Sequence, residues 1–472
     1  MDKAEALIGG EWHQEPGGRT FAVYDPATGA AVAEVADCGA ELTGRAIDAA
    51  ARALPSWRAM PAHERAGLMR RAAAELVERA ASIGATMTSE QGKPLAEATA
   101  EVVSGADHLL WAAEETRRLY GQTAPGATAD NRIWMLPEPV GVVAGITPWN
   151  FPVSMITRKL GPALAAGCTV VLKPAEQTPL SAIAVAEAFT AAGLPPGVFN
   201  LVPTSRPERF AEVVMADRRV RKVSFTGSTE VGRELIRQSA QDVKRLSVEL
   251  GGHAPVLVFP DADPEAAAAA VARSKFLNAG QACTSPNRIF AHRDVAARFT
   301  AALAGHAQAI TPGVDMGPLI DAAALAKVER HVEDALKGGA TALTGGARLD
   351  GPGTFYPPTV LAGVTEDMLV CREETFGPVA PVIEFDDVEG VVARANATPY
   401  GLTAYVWTSD LTRTLRVAEE LEFGMVTVNG GPLAPPQAPF GGIKHSGYGR
   451  EGGSLGVSDY LEYKYLSVGL GR

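Results

Sequence analysis

Residues 168–203, "CTVVLKPAEQTPLSAIAVAEAFTAAGLPPGVFNLVP", contain the pattern that decides the fold. Two short runs of strand-forming residues, TVVLK and VFNLV, flank a longer run with apolar residues at helical spacing. Prolines and a glycine separate the three runs and mark their ends. A strand, a helix and a second strand in this order predict a right-handed crossover between parallel strands. This segment therefore predicts an α/β fold.

The same alternation continues on both sides of this segment. Between residues 139 and 260, strand-like runs such as PVGVVAGITP and RKVSFTGS alternate with helix-like runs such as RPERFAEVVMAD. A second alternating region extends from 254 to about 430, and a helical portion at 63–91 precedes the first. Two α/β regions fit a chain of 472 residues, which is too long for one core. The segments 122–138 and 457–472 fit neither region.

The charge balance argues against two classes of partner. The net charge is −11 and no dense run of lysine and arginine occurs, so neither nucleic acid nor an anionic membrane surface is expected as a partner. The beginning of the chain lacks the profile of a secretory signal. No uninterrupted apolar run approaches the length of a membrane span. We therefore predict a cytoplasmic protein.

The cysteines and histidines are scattered along the chain. Cys38, Cys168, Cys283 and Cys371 are far apart and form no C-x-x-C pair, which fits a reducing compartment and predicts neither disulfides nor a metal site. His331, in VERHVEDALK, is predicted to lie on the solvated face of a helix.

Cys283 lies in an unusual context, FLNAGQACTSPN, at residues 276–287. Gly280 and Pro286 indicate a bend, where a thiolate can meet a substrate and backbone N–H groups can stabilise an oxyanion. The alternative is a small buried apolar residue. The sequence context favours a nucleophile.

Two further residues follow predicted strands. Glu249 ends the run KRLSVEL just before a pair of glycines, at the carboxyl end of a strand where α/β folds place their sites. Asn150, in GITPWNFP, has an amide that can donate to an oxyanion. A solvated acid and a turn residue are the respective alternatives.

Two strand-to-helix junctions are candidates for nucleotide binding. Gly227 and Ser228, in SFTGSTEVG, offer free N–H groups to a phosphate, although the motif matches no phosphate-binding fingerprint. Lys173 and Glu176, in VVLKPAEQTP, are candidates for holding a ribose.

Together these motifs resemble the aldehyde dehydrogenase superfamily. The motifs TPWNFP, LKPAEQTP, FTGST, VELGG, GQAC, EETFGPV and PFGGIKHSG occur in the order of that family, over nearly the whole chain. The resemblance implies a Rossmann-like cofactor domain (1–121 and 139–249), an α/β catalytic domain (250–456) and a small oligomerisation sheet (122–138 and 457–472). It also implies a homodimer or homotetramer.

The resemblance assigns roles to the candidate residues. Cys283 is expected to attack an aldehyde, Asn150 to hold the oxyanion, and Glu249 to activate the water that hydrolyses the thioester. The expected cofactor is NAD, and its implied ligands are Trp149, Lys173, Glu176, Gly227, Ser228, Glu374 and Phe376. Glu176 lies where the 2′-phosphate of NADP would need room, so like charges would repel. An acidic residue at 249 favours water over coenzyme A as the acyl acceptor.

The substrate is less well defined. The overall sequence most resembles the succinate-semialdehyde dehydrogenase branch of the family. In that branch, two arginines and a serine hold the substrate carboxylate. Arg158 matches one arginine, but Leu277 and Ala434 occupy the positions of the other two ligands, and Ser285 replaces a second cysteine found in some members. Succinate or 2-oxoglutarate semialdehyde and uncharged aliphatic or aromatic aldehydes are therefore both retained as substrates.

Two hypotheses from other functional classes also remain. A thiol hydrolase would pair Cys283 with His253, and a non-enzymatic scaffold would use the fold for assembly alone. Both leave the nucleotide-like motifs without a role.

Overall fold

The computed structural model describes residues 5–431 and 434–471. Its strands, in chain order, are β1 (Ala6–Ile8), β2 (Glu11–His13), β3 (Thr20–Tyr24), β4 (Ala31–Ala36), β5 (Gln122–Pro125), β6 (Asn131–Pro139), β7 (Val142–Ile146), β8 (Thr169–Lys173), β9 (Phe199–Leu201), β10 (Val220–Thr226), β11 (Arg245–Glu249), β12 (Ala254–Val258), β13 (Pro286–His292), β14 (Thr341–Thr344), β15 (Thr359–Ala362), β16 (Val379–Phe385), β17 (Tyr400–Gly401), β18 (Thr403–Trp407), β19 (Met425–Val428), β20 (Ile443–Lys444), β21 (Gly447–Tyr448) and β22 (Leu461–Gly469).

The α-helices are α1 (Ala40–Ala59), α2 (Ala62–Glu78), α3 (Ala80–Gln91), α4 (Leu95–Glu115), α5 (Pro152–Ala166), α6 (Pro179–Ala191), α7 (Pro207–Ala216), α8 (Thr229–Ser239), α9 (Pro264–Phe276), α10 (Arg293–Gln308), α11 (Ala322–Lys337), α12 (Leu369–Arg372), α13 (Val391–Asn396), α14 (Leu411–Glu420) and α15 (Gly453–Ser458). Short 3₁₀ turns lie at Thr116–Arg118 and Leu277–Gly280.

The first large sheet has the strand order β2-β1-β9-β8-β7-β10-β11-β21. Its five central strands are parallel, as the opening segment predicts, and helices such as α6 connect them. The strands β1 and β21 join it antiparallel at its two sides. The buried runs in β7 and β8 carry apolar residues on both faces, as is typical of a sheet covered on both sides.

The second large sheet has the order β14-β15-β16-β13-β12-β18-β19, and its pairs are parallel except for β14 with β15. Its core contains buried residues such as Val256, Phe290 and Tyr405. Asp263 caps the start of α9, because its side chain accepts hydrogen bonds from the N–H groups of Glu265 and Ala266. The mixed α/β fold predicted from the sequence is confirmed.

The two unassigned segments of the sequence form a separate sheet with the order β22-β6-β5. Strands β6 and β22 pair antiparallel over nine residues, from Asn131 with Gly469 to Pro139 with Leu461. Trp134, Tyr463 and Tyr465 are exposed on this small sheet.

The prediction for His331 is wrong. The residue is helical, but its side chain is completely buried and contacts Thr375 Oγ1 and Glu373 Oε2, each at 3.1 Å. Helical neighbours predicted an exposed position, yet the face of α11 that carries His331 packs against residues 373–375. Among the helices that the structure describes, none has the length and apolar character needed to cross a membrane.

Candidate active site

The candidate residues converge at the carboxyl ends of four adjacent parallel strands, β8, β7, β10 and β11. Lys173 and Glu249 are the last residues of β8 and β11, while Trp149 follows β7 and Gly227 and Ser228 follow β10. Neighbouring parallel strands end at one edge of a sheet, so side chains distant in sequence meet there. The geometry thus brings the predicted residues of the first region together.

Cys283 lies between two cavities. It lines one cavity of about 280 Å³ together with Trp149, Ser228 and Glu374. Its two neighbours, Ala282 and Thr284, line a second cavity of about 250 Å³, which we call the inner cavity. The inner cavity is lined by Ser104, His108, Phe151, Ser154, Met155, Arg158, Ser274, Leu277, Ala282, Thr284, Thr403, Met425, Thr427, Ala434 and Phe440. A sulfur in this position can meet one ligand from each side.

The loop before Cys283 has an unusual backbone. Asn278 and Ala279 have positive φ angles of 49° and 54°, a conformation that non-glycine residues seldom adopt. Gly280 also has positive φ, and a β-carbon there would lie 2.1 Å from the Gly377 carbonyl oxygen. Gln91 donates to Asn278 Oδ1 at 2.9 Å and helps hold this strained turn.

Asn150 is fixed by the same loop. Its Nδ2 donates to the carbonyl of Gln281 at 3.0 Å, and its own carbonyl accepts from Lys93 Nζ at 2.8 Å. An amide NH₂ has two hydrogens, so one remains for an oxyanion. Gln281 is itself anchored, since its Oε1 accepts from Ile320 N at 2.9 Å.

A buried ion pair supports this arrangement. Lys93 and Glu101 lie 2.5 Å apart, and Glu101 Oε1 accepts from the N–H groups of Val153 and Ser154 in the first turn of α5. These N–H groups have no partner within the helix. The pair therefore links the start of α5 to the backbone of Asn150.

Glu249 is 3% exposed, and neither of its carboxylate oxygens has a hydrogen-bond partner among the described residues. Burial, and then the negative charge of Glu451, raise its pKa well above the usual value. The solvated acid considered from the sequence is therefore wrong for this position. An unpaired buried carboxyl with raised pKa is typical of a general base.

Sequence reasoning missed the partners of Glu249. Glu451 Oε1 lies 2.7 Å from Lys159 Nζ, and Glu451 Oε2 lies 3.3 Å from Arg158 Nε; all three side chains are buried. Glu451 stands near the end of the chain, in the PFGGIKHSGYGRE motif, and no local pattern marks it as charged and buried. Only the sheet topology brings it to Glu249.

The thiol of Cys283 is protonated at neutral pH in this environment. Burial, followed by the charge of Glu374, raises the pKa of Cys283 to about 12, while Arg158 opposes the shift. Nucleophilic attack therefore requires transfer of the thiol proton.

The cavity beside Cys283 fits a nicotinamide nucleotide. Glu374 Oε1 accepts from Gly252 N at 2.9 Å, and a β-carbon on Gly251 would lie 2.7 Å from Glu374 Oε2. Burial raises the pKa of Glu374 to about 7. Trp149 and Phe376 meet edge to face with ring centroids 5.6 Å apart, and Phe376 holds a positive φ of 55°. The two aromatic rings, nearly perpendicular to each other, give this cavity an apolar corner.

Other predicted nucleotide contacts lie along the same edge. Lys173 Nζ contacts Glu176 Oε2 at 2.8 Å. Ser228 caps α8 by accepting from Val231 N, and both Ser228 and Gly227 line the cavity with Cys283. Lys327 of α11 also lines it and was not identified from the sequence, because its helix shows only an ordinary amphipathic pattern.

The inner cavity contains the predicted substrate positions. Arg158, Leu277 and Ala434 all line it. The Arg158 guanidinium lies 4.0 Å from the centroid of the Phe440 ring, and its Nε and Nη2 have no hydrogen-bond partner in the described part of the chain. Leu277 is 41% exposed.

The alternative base His253 does not pair with Cys283. Its Nε2 contacts the Cys371 carbonyl at 2.8 Å, and its Nδ1 has no partner among the described residues. Burial and the charge of Arg288 lower the pKa of His253 to about 3. Ser285, where a second cysteine was considered, is buried.

Comparison with known proteins shows which family this chain resembles. The chain matches the aldehyde dehydrogenase family over residues 12–466. It is 49% identical to an NADP(+) succinate-semialdehyde dehydrogenase of Escherichia coli over 99% of this chain and 98% of that protein. It is also 49% identical to a glutarate-semialdehyde dehydrogenase of Pseudomonas aeruginosa, with the same coverage.

A comparison with solved structures shows the same fold. A crystal structure of an E. coli NADP-dependent enzyme superposes with a TM-score of 0.98 at 48% identity, covering 99% of this chain and 98% of that one. The chain belongs to the aldehyde dehydrogenase family. It is an NAD(P)-dependent enzyme that oxidises an aldehyde to a carboxylic acid.

Proposed function

We propose that this enzyme oxidises a short aldehyde with a carboxylate at its far end, using Cys283 as the nucleophile. Succinate semialdehyde and 2-oxoglutarate semialdehyde are members of this class. The observation that carries the proposal is the position of Cys283 between the cavity that it lines with Trp149 and Glu374 and the inner cavity, where the Nη2 of Arg158 has no hydrogen-bond partner among the described residues.

In the first half of the reaction, the thiol of Cys283 passes its proton to solvent water, and its sulfur forms a bond to the aldehyde carbon. The carbonyl oxygen becomes an oxyanion, which the free N–H of the Asn150 amide and the backbone N–H of Cys283 stabilise. The hydrogen bond from Asn150 to Gln281 orients the amide before the substrate arrives, so no reorganisation is needed.

The bound nicotinamide supplies one chemical property, the ability to accept a hydride from the thiohemiacetal. Glu374 would hold the ribose next to it, and Trp149, Phe376 and Lys327 line the same cavity. Gly227 and Ser228 would contact the phosphates, and Lys173 with Glu176 the second ribose. The donor set and the absence of a side chain at Gly251 both fit such a ligand.

In the second half, Glu249 takes a proton from water, whose oxygen attacks the thioester carbon. The carbon–sulfur bond breaks, the carboxylic acid leaves and the thiol of Cys283 is restored. A carboxyl whose oxygens are not engaged by other groups can accept that proton. The raised pKa brings Glu249 closer to the ideal range for a general base near neutral pH.

The charges around the inner cavity support an anionic substrate. Lys159 and Arg158 share the single carboxylate of Glu451, and the Nη2 of Arg158 has no hydrogen-bond partner among the described residues. An anionic group of the substrate can accept a hydrogen bond from this nitrogen. The two relatives described above are named for succinate and glutarate semialdehydes, which both carry such a carboxylate.

A second candidate is an uncharged aliphatic or aromatic aldehyde. It is favoured by the partly exposed side chain of Leu277 and by Ala434, neither of which can hold an anion.

The test is a comparison of kcat/KM for succinate and glutarate semialdehydes with butanal and pentanal, which match them in carbon number. NAD(P)H absorbance follows each reaction. The proposal expects the charged member of each pair to react better by at least about tenfold, the value of one charge-assisted hydrogen bond. Equal or better use of the uncharged aldehydes would select the second candidate.

We also propose that NAD is preferred over NADP. The carboxylate of Glu176 can accept hydrogen bonds from ribose hydroxyls, but it would repel a 2′-phosphate. The same carboxylate engages Lys173, a cation that could otherwise attract that phosphate.

The domain organisation remains our proposal: a cofactor domain at 1–121 and 139–249, a catalytic domain at 250–456, and oligomerisation segments at 122–138 and 457–472. Residues 1–4, 432–433 and 472 lie outside the described residues. The exposed aromatic residues of the β22-β6-β5 sheet support a homodimer or homotetramer. All four cysteines are described and none forms a disulfide, which supports a cytoplasmic location.

A further inference from the structure

We propose that His108 is a specificity-determining residue that contacts the anionic end of the substrate together with Arg158. It would thereby take the place of the ligands that are absent at Leu277 and Ala434. This inference rests on the proposed function, because it concerns an aldehyde that carries a carboxylate.

His108 lies on the wall of the inner cavity that Arg158 also lines. It belongs to α4, and Ser104, one helical turn earlier on the same face, lines the cavity too. His108 is itself buried, so its imidazole is shielded from bulk solvent while it faces the cavity.

The closeness of His108 and Arg158 follows from the packing of α4 on α5. A β-carbon at Gly105 would lie 3.1 Å from Thr157 Oγ1, and one at Gly161 would lie 3.0 Å from the β-carbon of Ala112. Both distances are tighter than ordinary contacts, so the two glycines allow the helices to approach closely. The side chains of His108 and Arg158 therefore meet in one cavity.

The positive charge of Arg158 affects the pKa of His108. Burial, and then the positive charge of Arg158, lower the pKa of His108 to about 4, while Glu451 and the carbonyl of Ala434 act in the opposite direction. A carboxylate beside His108 would offset the field of Arg158 and favour the imidazolium, which has two N–H donors, one for the carbonyl of Ala434 and one for the carboxylate. A bound anion thus finds a guanidinium and an imidazole donor on the same wall.

The alternative occupant of this part of the cavity is an apolar group. Buried polar groups normally have partners, and the Nη2 of Arg158 would remain unsatisfied beside an apolar ligand. A carboxylate satisfies it. The geometry therefore favours the anionic substrate and gives His108 a direct contact with it.

The experiment compares the wild type with His108→Leu, His108→Gln and the control His306→Leu, which makes the same chemical change at an exposed position of α10. The readout is the ratio of kcat/KM for glutarate semialdehyde to that for pentanal, so a general loss of activity cancels. Inhibition by pentanoate, which can place its carboxylate beside Arg158, and by 1-pentanol, which has no carboxylate, gives a corresponding ratio from binding alone.

We expect His108→Leu to lower both ratios by about 10- to 100-fold, mainly through KM, because a charge-assisted hydrogen bond is lost. His108→Gln, which keeps an N–H donor, is expected to retain most of the preference, and His306→Leu all of it. If the Leu variant does not fold, the Gln variant and His108→Asn report the same ratios.

Two outcomes are adverse, and they differ. If the wild type uses pentanal as well as glutarate semialdehyde, the proposed substrate class is wrong, and this inference with it. If the wild type prefers the charged aldehyde and His108→Leu keeps that preference, the inference for His108 alone is overturned.

Discussion

The ammonium group of Lys159 and the carboxylate of Glu451 lie 2.7 Å apart, and both are almost completely buried. This pair borders Glu249, whose carboxyl has no partner among the described residues. Burial, and then the charge on Glu451, raise the pKa of Glu249, while Lys159 and Arg158 lower it. The proton affinity of Glu249 is therefore set by residues distant in sequence.

The first prediction concerns Glu451→Gln. Removing the negative charge lowers the pKa of Glu249, so its carboxylate form persists to lower pH. The acid limb of the kcat profile, which reports loss of the carboxylate, is expected to move to lower pH. Glu389→Gln, at an exposed ion pair with Arg416, is the control and should leave the limb in place. A shift of the limb to higher pH in Glu451→Gln would contradict the assignment.

The second prediction concerns Glu249→Gln. A glutamine cannot accept a proton from water, so the thioester on Cys283 should accumulate. We expect a burst of about one NAD(P)H per active site followed by slow turnover, with the acyl mass found on the peptide that contains Cys283. Cys283→Ser is the control, in which no acylated cysteine can form. Full steady turnover by Glu249→Gln would rule out this residue as the base.

The third prediction concerns His331. In His331→Leu the buried hydroxyl of Thr375 loses a partner, which is expected to cost about 1–3 kcal/mol of stability and to lower the thermal unfolding temperature. Residues 373–375 should also become less ordered, so the KM for the nucleotide should rise because Glu374 is part of that segment. His306→Leu should change neither quantity.

A double-variant measurement distinguishes loss of the hydrogen bond between His331 and Thr375 from a general disruption of the fold. Thr375→Val removes the same hydrogen bond from the other side, and the double variant should lose less than the sum of the two single variants. Fully additive losses would show that the two residues do not interact.

The fourth prediction concerns Glu176→Gln. The substitution removes the carboxylate that repels a 2′-phosphate and frees Lys173 to bind it. We expect kcat/KM for NADP to rise by about tenfold relative to NAD, equivalent to about 1.4 kcal/mol. The partial exposure of Glu176 keeps the expected change below the full Coulomb energy. A wild type that already uses both cofactors equally would defeat the proposal of NAD preference.

The helices and strands were predicted well wherever the apolar residues of the sequence follow a single period, either that of a helix or that of a strand. The strand, helix and strand expected within residues 168–203 are β8, α6 and β9, and the helix expected around His331 is α11. The same pattern did not reveal that the face of α11 carrying His331 is buried. Periodicity locates an apolar stripe, but the extent of burial depends on what packs against its border.

The candidate site was predicted only in part. Residues that follow strand ends within recognisable motifs, such as Asn150 and Glu249, were identified from the sequence. Glu451 and Lys159 were not, since a charged residue in a loop or a helix is usually exposed. His108 was missed for a similar reason, because nothing near it in the sequence indicates that it faces a cavity.

The sequence by itself determined the alternation of strands and helices, the bend at Cys283 and the chemical types available for catalysis. These properties depend on backbone preferences and side-chain periods that extend over a few residues. The tertiary structure alone decided that Glu451 adjoins Glu249, that His108 shares a cavity with Arg158, and that β6 pairs with β22. Such relationships join distant parts of the chain, and their energies arise from close packing and from the removal of charged groups from water.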